Sequence, residues 1–258
     1  MYTNRQSVTR TLVLAAALAM PGAQAGVFNA SPAFPSPPPG VDEPPQGEWL
    51  GELAIGFNAT SGNTETSSLN ARLLLGYLRD KWRHTVNLNG NRASDATGTI
   101  GERYQLTGQS DYRISEIDYV FITAQGERDR FAGISLRTSE AVGYGRDLLK
   151  TDRHRLNAEV GAGARQVRFT DNRRETEGIL RLAGGYVWTI SENSEFSQRL
   201  VVEAGDENTY SESITALKTN LVGRIYSNIS FTVKHNGTVP AGREKTDTYT
   251  ALQLQYRF

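Results

Sequence analysis

The sequence predicts an all-β chain, a transmembrane antiparallel β-barrel of about 12 strands with periplasmic termini. Three observations carry that expectation. The closing run Leu252-Gln253-Leu254-Gln255-Tyr256-Arg257-Phe258 alternates strictly, with Leu252, Leu254, Tyr256 and Phe258 on one face and Gln253, Gln255 and Arg257 on the other. A wall with lipid on one side and water on the other needs this dyad. From Trp49 onward Pro240 is the only proline, so almost every residue keeps its ladder donor. Mean hydropathy is −0.46, and no apolar run approaches the roughly 20 residues of a membrane helix. A chain of this kind spans a bilayer only as a closed barrel.

The elements follow in order. Residues 1–25 read as a secretory signal: Arg5 and Arg10 supply the positive region, Thr11 to Met20 the apolar run, and Ala23-Gln24-Ala25 the cleavage site. Removing them takes away two Arg and no acid, so the formal charge of +0 becomes slightly negative, and no basic excess points to nucleic acid. The chain has no Cys, which excludes disulfides and a Cys-linked lipid anchor. Residues 26–48 hold Pro32, Pro35, Pro37, Pro38, Pro39, Pro44 and Pro45 and read as an extended, disordered leader. Residues 49–258 are the barrel.

Strand cores are expected at 49–59, 65–78, 82–93, 101–114, 117–128, 134–148, 154–168, 175–190, 194–205, 210–226, 228–238 and 246–258. The count is even, as in bacterial single-chain barrels. Leu69, Ala71, Leu73, Leu75 and Tyr77 alternate with Asn70 and Arg72. Leu156, Ala158, Val160 and Ala162 oppose Arg155, Asn157 and Glu159; Leu200, Val202 and Ala204 oppose Arg199 and Glu203. A soluble sandwich also alternates, but it does not put Arg, Glu and Lys at mid-strand on one face. Faces of 117–128 and 134–148 stay open, because Tyr119 and Phe121 oppose Val120 and Ile122. Turns after even-numbered strands are mostly shorter than those after odd ones, the asymmetry of periplasmic turns and outer loops.

Aromatics fall at two levels. Trp49, Tyr77, Trp82, Tyr112, Tyr119, Trp188, Phe196, Tyr226, Tyr256 and Phe258 lie at periplasmic strand ends, and Trp49, Tyr77, Trp82, Trp188, Tyr226, Tyr256 and Phe258 are assigned to a membrane-interface girdle. Phe57, Tyr104, Phe131, Phe169, Tyr210 and Tyr249 lie toward the outer ends. The terminal Phe258 resembles the assembly signal of outer-membrane barrels, so outer-membrane lipid and the barrel-assembly machinery are the expected partners.

Several motifs resemble those of the salt-induced outer-membrane protein family, whose domain has no assigned function. They are Trp49-x-Gly51, Thr60-Ser61-Gly62-Asn63-Thr64-Glu65-Thr66, Trp82-Arg83-His84, Asp129-Arg130-Phe131-x-Gly133, Gly143-x-Gly145 and Asp247-Thr248-x-Thr250. The resemblance runs from Trp49 to Phe258 and implies an outer-membrane location, not an activity. The Thr60–Thr66 segment reads as a turn, with a ligand-binding loop as the sharper alternative.

Chemistry is sparse. The histidines are His84, His154 and His235, their strand positions do not cluster, and no Ser-His-acid arrangement stands out. No catalytic residue, metal ligand set or cofactor is expected. Asp129, Asp147 and Asp152 read as solvated loop acids. Parity places the acids Glu52, Asp111, Glu159 and Glu203 in the lumen, with the bases Arg72, Arg113, Arg165, Arg181, Arg199, Lys218, Arg224, Lys234 and Arg257. That surplus of bases motivates a narrow channel for small anions or solutes, linked to osmotic or salt response by resemblance. The alternatives are a structural barrel with a salt-bridged closed lumen and an outer-membrane lipid hydrolase.

Overall fold

Strand follows strand throughout the computed structural model, which describes residues 46–60, 66–129, 133–239 and 244–258. The expected signal (1–25), the leader up to residue 45, turn residues 61–65, Phe131, Pro240 and the side chain of Tyr249 lie outside the described residues. The leader's end, Gln46-Gly47, is bonded to the barrel: Gly47 N donates to Leu78 O at 2.7 Å, and Gln46 Oε1 accepts from Asp80 N at 2.9 Å.

The twelve strands are β1 (Trp49–Thr60), β2 (Thr66–Arg79), β3 (Trp82–Asp95), β4 (Gly98–Arg113), β5 (Asp118–Asp129) and β6 (Ile134–Lys150), then β7 (His154–Phe169), β8 (Arg174–Ser191), β9 (Ser194–Gly205), β10 (Thr209–Val222), β11 (Ile225–Asn236) and β12 (Thr246–Arg257). Each pairs antiparallel with its sequence neighbours, and β12 pairs with β1, so the sheet closes. Closure removes every free edge, as hydrocarbon surroundings demand. The β1–β12 seam is pinned at the rim where β1 starts and β12 ends, here called the terminal rim, from Glu52 opposite Arg257 to Ile55 opposite Leu254.

Burial is inverted relative to a soluble protein. Leu106, Ile122, Val142, Leu180, Leu252 and Leu254 are each more than half exposed on the outer face, while Arg165, Asn87, Asn89 and Gln255 are at most 1% exposed inside. Soluble domains almost never bury Arg and bare a continuous apolar wall. Here the wall is the lipid-facing belt of a barrel. Near the terminal rim it carries the expected aromatics: Trp49 lies 5.0 Å from Tyr77, Trp82 lies 5.0 Å from Tyr112, and Tyr256 stacks at 6.2 Å with Phe258. Trp188 lies 6.1 Å from His154.

Tyr226, expected in the outward girdle, faces inward, as do Tyr119, whose facing the sequence left open, and Tyr210, placed only by height. Tyr119 is 0%, Tyr210 5% and Tyr226 5% exposed, all in the lumen. For Tyr226 the cause is parity: it is even-numbered like the inward Lys218 of the same expected strand. The sequence reads as one strand up to residue 226, but the chain turns at Gly223-Arg224, with Gly223 at φ 55°, where a side chain would be strained. The turn leaves even-numbered residues facing inward on both β10 and β11 and places Arg224 outside both strands, exposed in the turn and not in the lumen. The open assignments of β5 and β6 resolve the same way on both strands: Tyr119, Phe121, Arg137 and Ala141 face in, and Val120, Ile122, Leu136 and Val142 face out.

Candidate functional site

The lumen is the candidate site, and its contents follow from the dyad. Every second residue of each strand points inward, and at mid-wall most of these are polar or charged, with a few apolar residues such as Leu74, Phe121 and Ile214 among them. Of the sequence-predicted lumen residues, Glu52, Arg72, Asp111, Glu159, Arg165, Arg181, Glu203, Lys234 and Arg257 are buried there. Arg113, Arg199 and Lys218 are inside but partly open.

Toward the terminal rim, Glu52 holds Arg257 at 3.1 Å and Lys218 at 3.4 Å. Lys218 also meets Glu195 at 3.0 Å. Arg257 lies over the Tyr226 ring at 4.5 Å, which is how that inward tyrosine is used. Asp111 pairs with Arg83 at 2.6 Å, and Arg113 with Asp147 at 3.1 Å.

At mid-height, Glu159 collects donors from three walls. Arg181 Nη1 donates at 2.8 Å, Gln109 Nε2 at 2.9 Å and Tyr119 Oη at 3.1 Å. Asn157 Nδ2 donates in turn to Tyr119 Oη at 3.0 Å. The Tyr119 ring fits because Gly145 stands opposite it; a Cβ there would lie 2.2 Å from Tyr119 Cζ. The Gly143-x-Gly145 motif is thus the space for two inward aromatics, since Phe121 likewise faces Gly143.

Nearer the opposite rim, Arg103 pairs with Glu127 at 2.7 Å, Lys234 with Glu212 at 2.9 Å, and Tyr210 Oη donates to Glu212 at 3.0 Å. Arg165, 1% exposed, meets Glu177 at 2.7 Å and Glu203 at 3.5 Å. Arg165 Nη2 also donates to Asn208 O. Glu177 Oε2 accepts from Glu207 N at 2.9 Å and Asn208 N at 3.3 Å. These bonds draw the short β9–β10 turn inward over the lumen mouth. Asn208 is further tied to the β11–β12 connection by Thr238 N, which donates to its Oδ1 at 2.9 Å.

Charged lumen residues missed in the sequence include Arg83, Arg103, Glu127, Arg137, Asp147, Glu177, Glu195 and Glu212. Among the described residues the buried charges are Glu52, Asp111, Glu127, Glu159, Glu177, Glu203 and Glu212 against Arg72, Arg103, Arg137, Arg165, Arg181, Lys234 and Arg257. Acids and bases balance, so the expected basic surplus is absent from the buried lumen. A cavity of about 20 Å³ lies between Arg181, Arg199, Glu203, Tyr210 and Glu212, room for about one water.

The barrel surface gives little for catalysis. Each histidine faces outward and bonds across its ladder to a hydroxyl: His84 Nδ1 to Ser110 Oγ, His154 Nδ1 to Tyr186 Oη and His235 Nδ1 to Thr246 Oγ1, all at 2.8 Å. The Ser110–His84 pair has the types of a nucleophile and base, but among the described residues no carboxylate is bonded to His84. Asp147 and Asp129, expected as solvated, are instead paired with Arg113 and Arg103. No group of three His, Cys, Asp or Glu among the described residues is placed to hold a metal ion.

Residues 53–258 match the model of the family described as "Protein of unknown function, DUF481". The chain belongs to this family. It is 30% identical over 219 residues to the uncharacterized protein YdiY of Escherichia coli (strain K12), covering 84% of this chain and 86% of that one. Among solved structures the NanC porin superposes with a TM-score of 0.50 at 11% identity, over 81% of this chain and 97% of the porin. The KdgM porin gives 0.45 at 10% identity, over 82% and 99%. The likeness to the NanC porin is one of fold: the closed antiparallel barrel of the outer membrane.

Proposed function

We propose that this protein is a non-enzymatic outer-membrane barrel whose lumen is closed by a charge-compensated lattice of ion pairs, a structural element of the cell envelope and not a standing pore. The observation that carries this reading is the lumen's balance of buried acids and bases, with a cavity of about 20 Å³ beside Arg181 and Arg199. Side chains bonded between facing walls, as Gln109 is to Glu159, obstruct the path of a hydrated ion. The fold shared with a porin supports membrane embedding, and the short turns at the terminal rim support placing that rim in the periplasm.

A gated narrow channel is the second reading, favoured by the β9–β10 turn that Arg165 and Glu177 hold over the mouth. In this reading the turn is the movable part. A salt-linked role fits the partly open rim pairs, Arg113–Asp147 and Lys218–Glu195, because exposed pairs are screened first as ionic strength rises.

Recording from purified, folded protein in planar bilayers tests both. The closed-lumen reading expects no discrete conductance steps at rest. Regular steps from the wild type would overturn it. If such steps appear, Arg181→Ser with Arg199→Ser should shift the reversal potential away from anions; an unchanged potential would remove the anion-biased version.

A further inference from the structure

On the lipid-facing side of the terminal rim, Tyr77, Arg79, Asp80, Trp82 and His84 line an open pocket of about 360 Å³. None of these side chains serves the lumen. The imidazole of His84 stacks on Trp82, with centroids 5.6 Å apart and planes at 8°, and lies 6.4 Å from the Tyr77 ring. Ser110 Oγ takes its Nδ1 at 2.8 Å; among the described residues its Nε2 has no partner. Two cations stand at the lip. Arg79 is 71% exposed and only 3.9 Å-paired with the 87% exposed Asp80, and Lys81 Nζ lies 6.0 Å from the Tyr112 ring centroid. On the same outward face of β3, farther into the wall, Val86 is 37% and Leu88 48% exposed.

An aromatic ledge at interface level, cations above it and bare apolar wall below it match the three zones of a glycerophospholipid. The phosphate meets Arg79, Lys81 and His84, the glycerol region meets Trp82, and an acyl chain follows Val86 and Leu88. We propose that this pocket is a specific binding site for an anionic phospholipid of the leaflet at the terminal rim. The site lies outside the lumen and is independent of whether the lumen conducts; it rests only on the barrel being embedded in a membrane.

The arrangement recurs on β7–β8. His154 stacks at 6.0 Å with Tyr186 and 6.1 Å with Trp188, its Nδ1 is held by Tyr186 Oη at 2.8 Å, and exposed Arg153 precedes it. A generic interface girdle needs the Trp and Tyr but not an imidazole stacked between them. The repetition on a distant part of the wall marks the Tyr–His–Trp stack as a built unit.

Native mass spectrometry of the full, folded protein with phosphatidylglycerol tests the proposal. The wild type should retain this lipid after delipidation. Arg79→Ser with Lys81→Ser should weaken retention about tenfold or more, since each basic residue near a lipid surface contributes separately. His84→Phe keeps a stacking ring, removes Nε2 and should also weaken it. Arg224→Ser, an exposed cation elsewhere on the same rim, should change nothing. Folding of each variant is read from heat-modifiable migration on a gel. Unchanged retention in both the double variant and His84→Phe overturns the proposal. So does equal displacement by inorganic phosphate, which would mark an ion site without lipid recognition. Release of fatty acid from the bound lipid would replace it with a Ser110–His84 hydrolase.

Discussion

Gly51 and Phe258 exchange backbone hydrogen bonds at 2.8 and 2.9 Å, and the Phe258 ring lies so close over Gly51 that a Cβ there would sit 2.3 Å from it. The terminal aromatic therefore does more than mark the interface: it clamps the first strand to the last. The Trp49-x-Gly51 motif is the receiving half of that clamp.

Gly51→Val should displace the Phe258 ring and loosen the seam, at about 1–3 kcal/mol for overpacking a tight contact. Phe258→Ala should loosen it by removing the ring. The temperature at which the folded gel band converts to the unfolded one should fall in both. A Gly51→Val band as heat-resistant as wild type would show that the seam does not depend on this contact.

Arg165→Ala should be among the most damaging single changes in the lumen. It leaves Glu177 and Glu203 buried without their cation, a loss of about 3–5 kcal/mol for a buried pair broken on one side. Replacing Arg165 with Met and Glu177 and Glu203 with Leu together should recover much of that stability in a urea titration, because no charge of the cluster is then stranded. In bilayers Arg165→Ala should also raise conductance, since the β9–β10 turn loses its anchor; a silent, normally stable variant would remove the gated reading.

Gly145→Val should expel the Tyr119 ring, and Tyr119→Ala should leave a void beside Glu159. Truncation of a buried aromatic costs about 3–5 kcal/mol. The two changes together should cost less than the sum of the separate losses, which a double-variant cycle in urea measures. Strict additivity would mean the ring and the glycine do not share space.

Arg224 and Arg257 give a direct check of the corrected facing. Arg257→Ser should destabilise the barrel by breaking its pair with Glu52 and its stack on Tyr226. Arg224→Ser should fall within about 0.5 kcal/mol of wild type, as at other exposed positions. Equal losses would return Arg224 to the lumen.

The strand count and closure were legible because alternation and short polar turns recur along the whole body. The β10–β11 turn was not, because Val222-Gly223-Arg224-Ile225 carries no proline or asparagine and reads as continuous strand. Its one signal is Gly223, which takes the positive φ. Tyr119, Tyr210 and Tyr226 were placed by height along the wall, and height does not decide facing; parity does. The same rule would have found most of the missing lumen charges. Steps of two lead from Arg181 to Glu177, from Lys218 to Glu212 and from Asp111 to Arg103. Their omission made the interior look basic. The pairing partners themselves, such as Gln109 reaching Glu159 across the lumen, come from the curvature of the closed sheet, which no single strand encodes.

The balance of buried charge bears on how the barrel answers an electric field. A membrane potential does work on a net charge, about 2.3 kcal/mol per elementary charge for each 100 mV. A lattice whose buried acids and bases are equal in number offers that field no handle as a whole; in pairs such as Arg181 with Glu159 the force on the arginine is opposed by the force on its carboxylate. Such an interior is deaf to voltage, and any stimulus that rearranges it must act chemically, by competing for the ions within a pair.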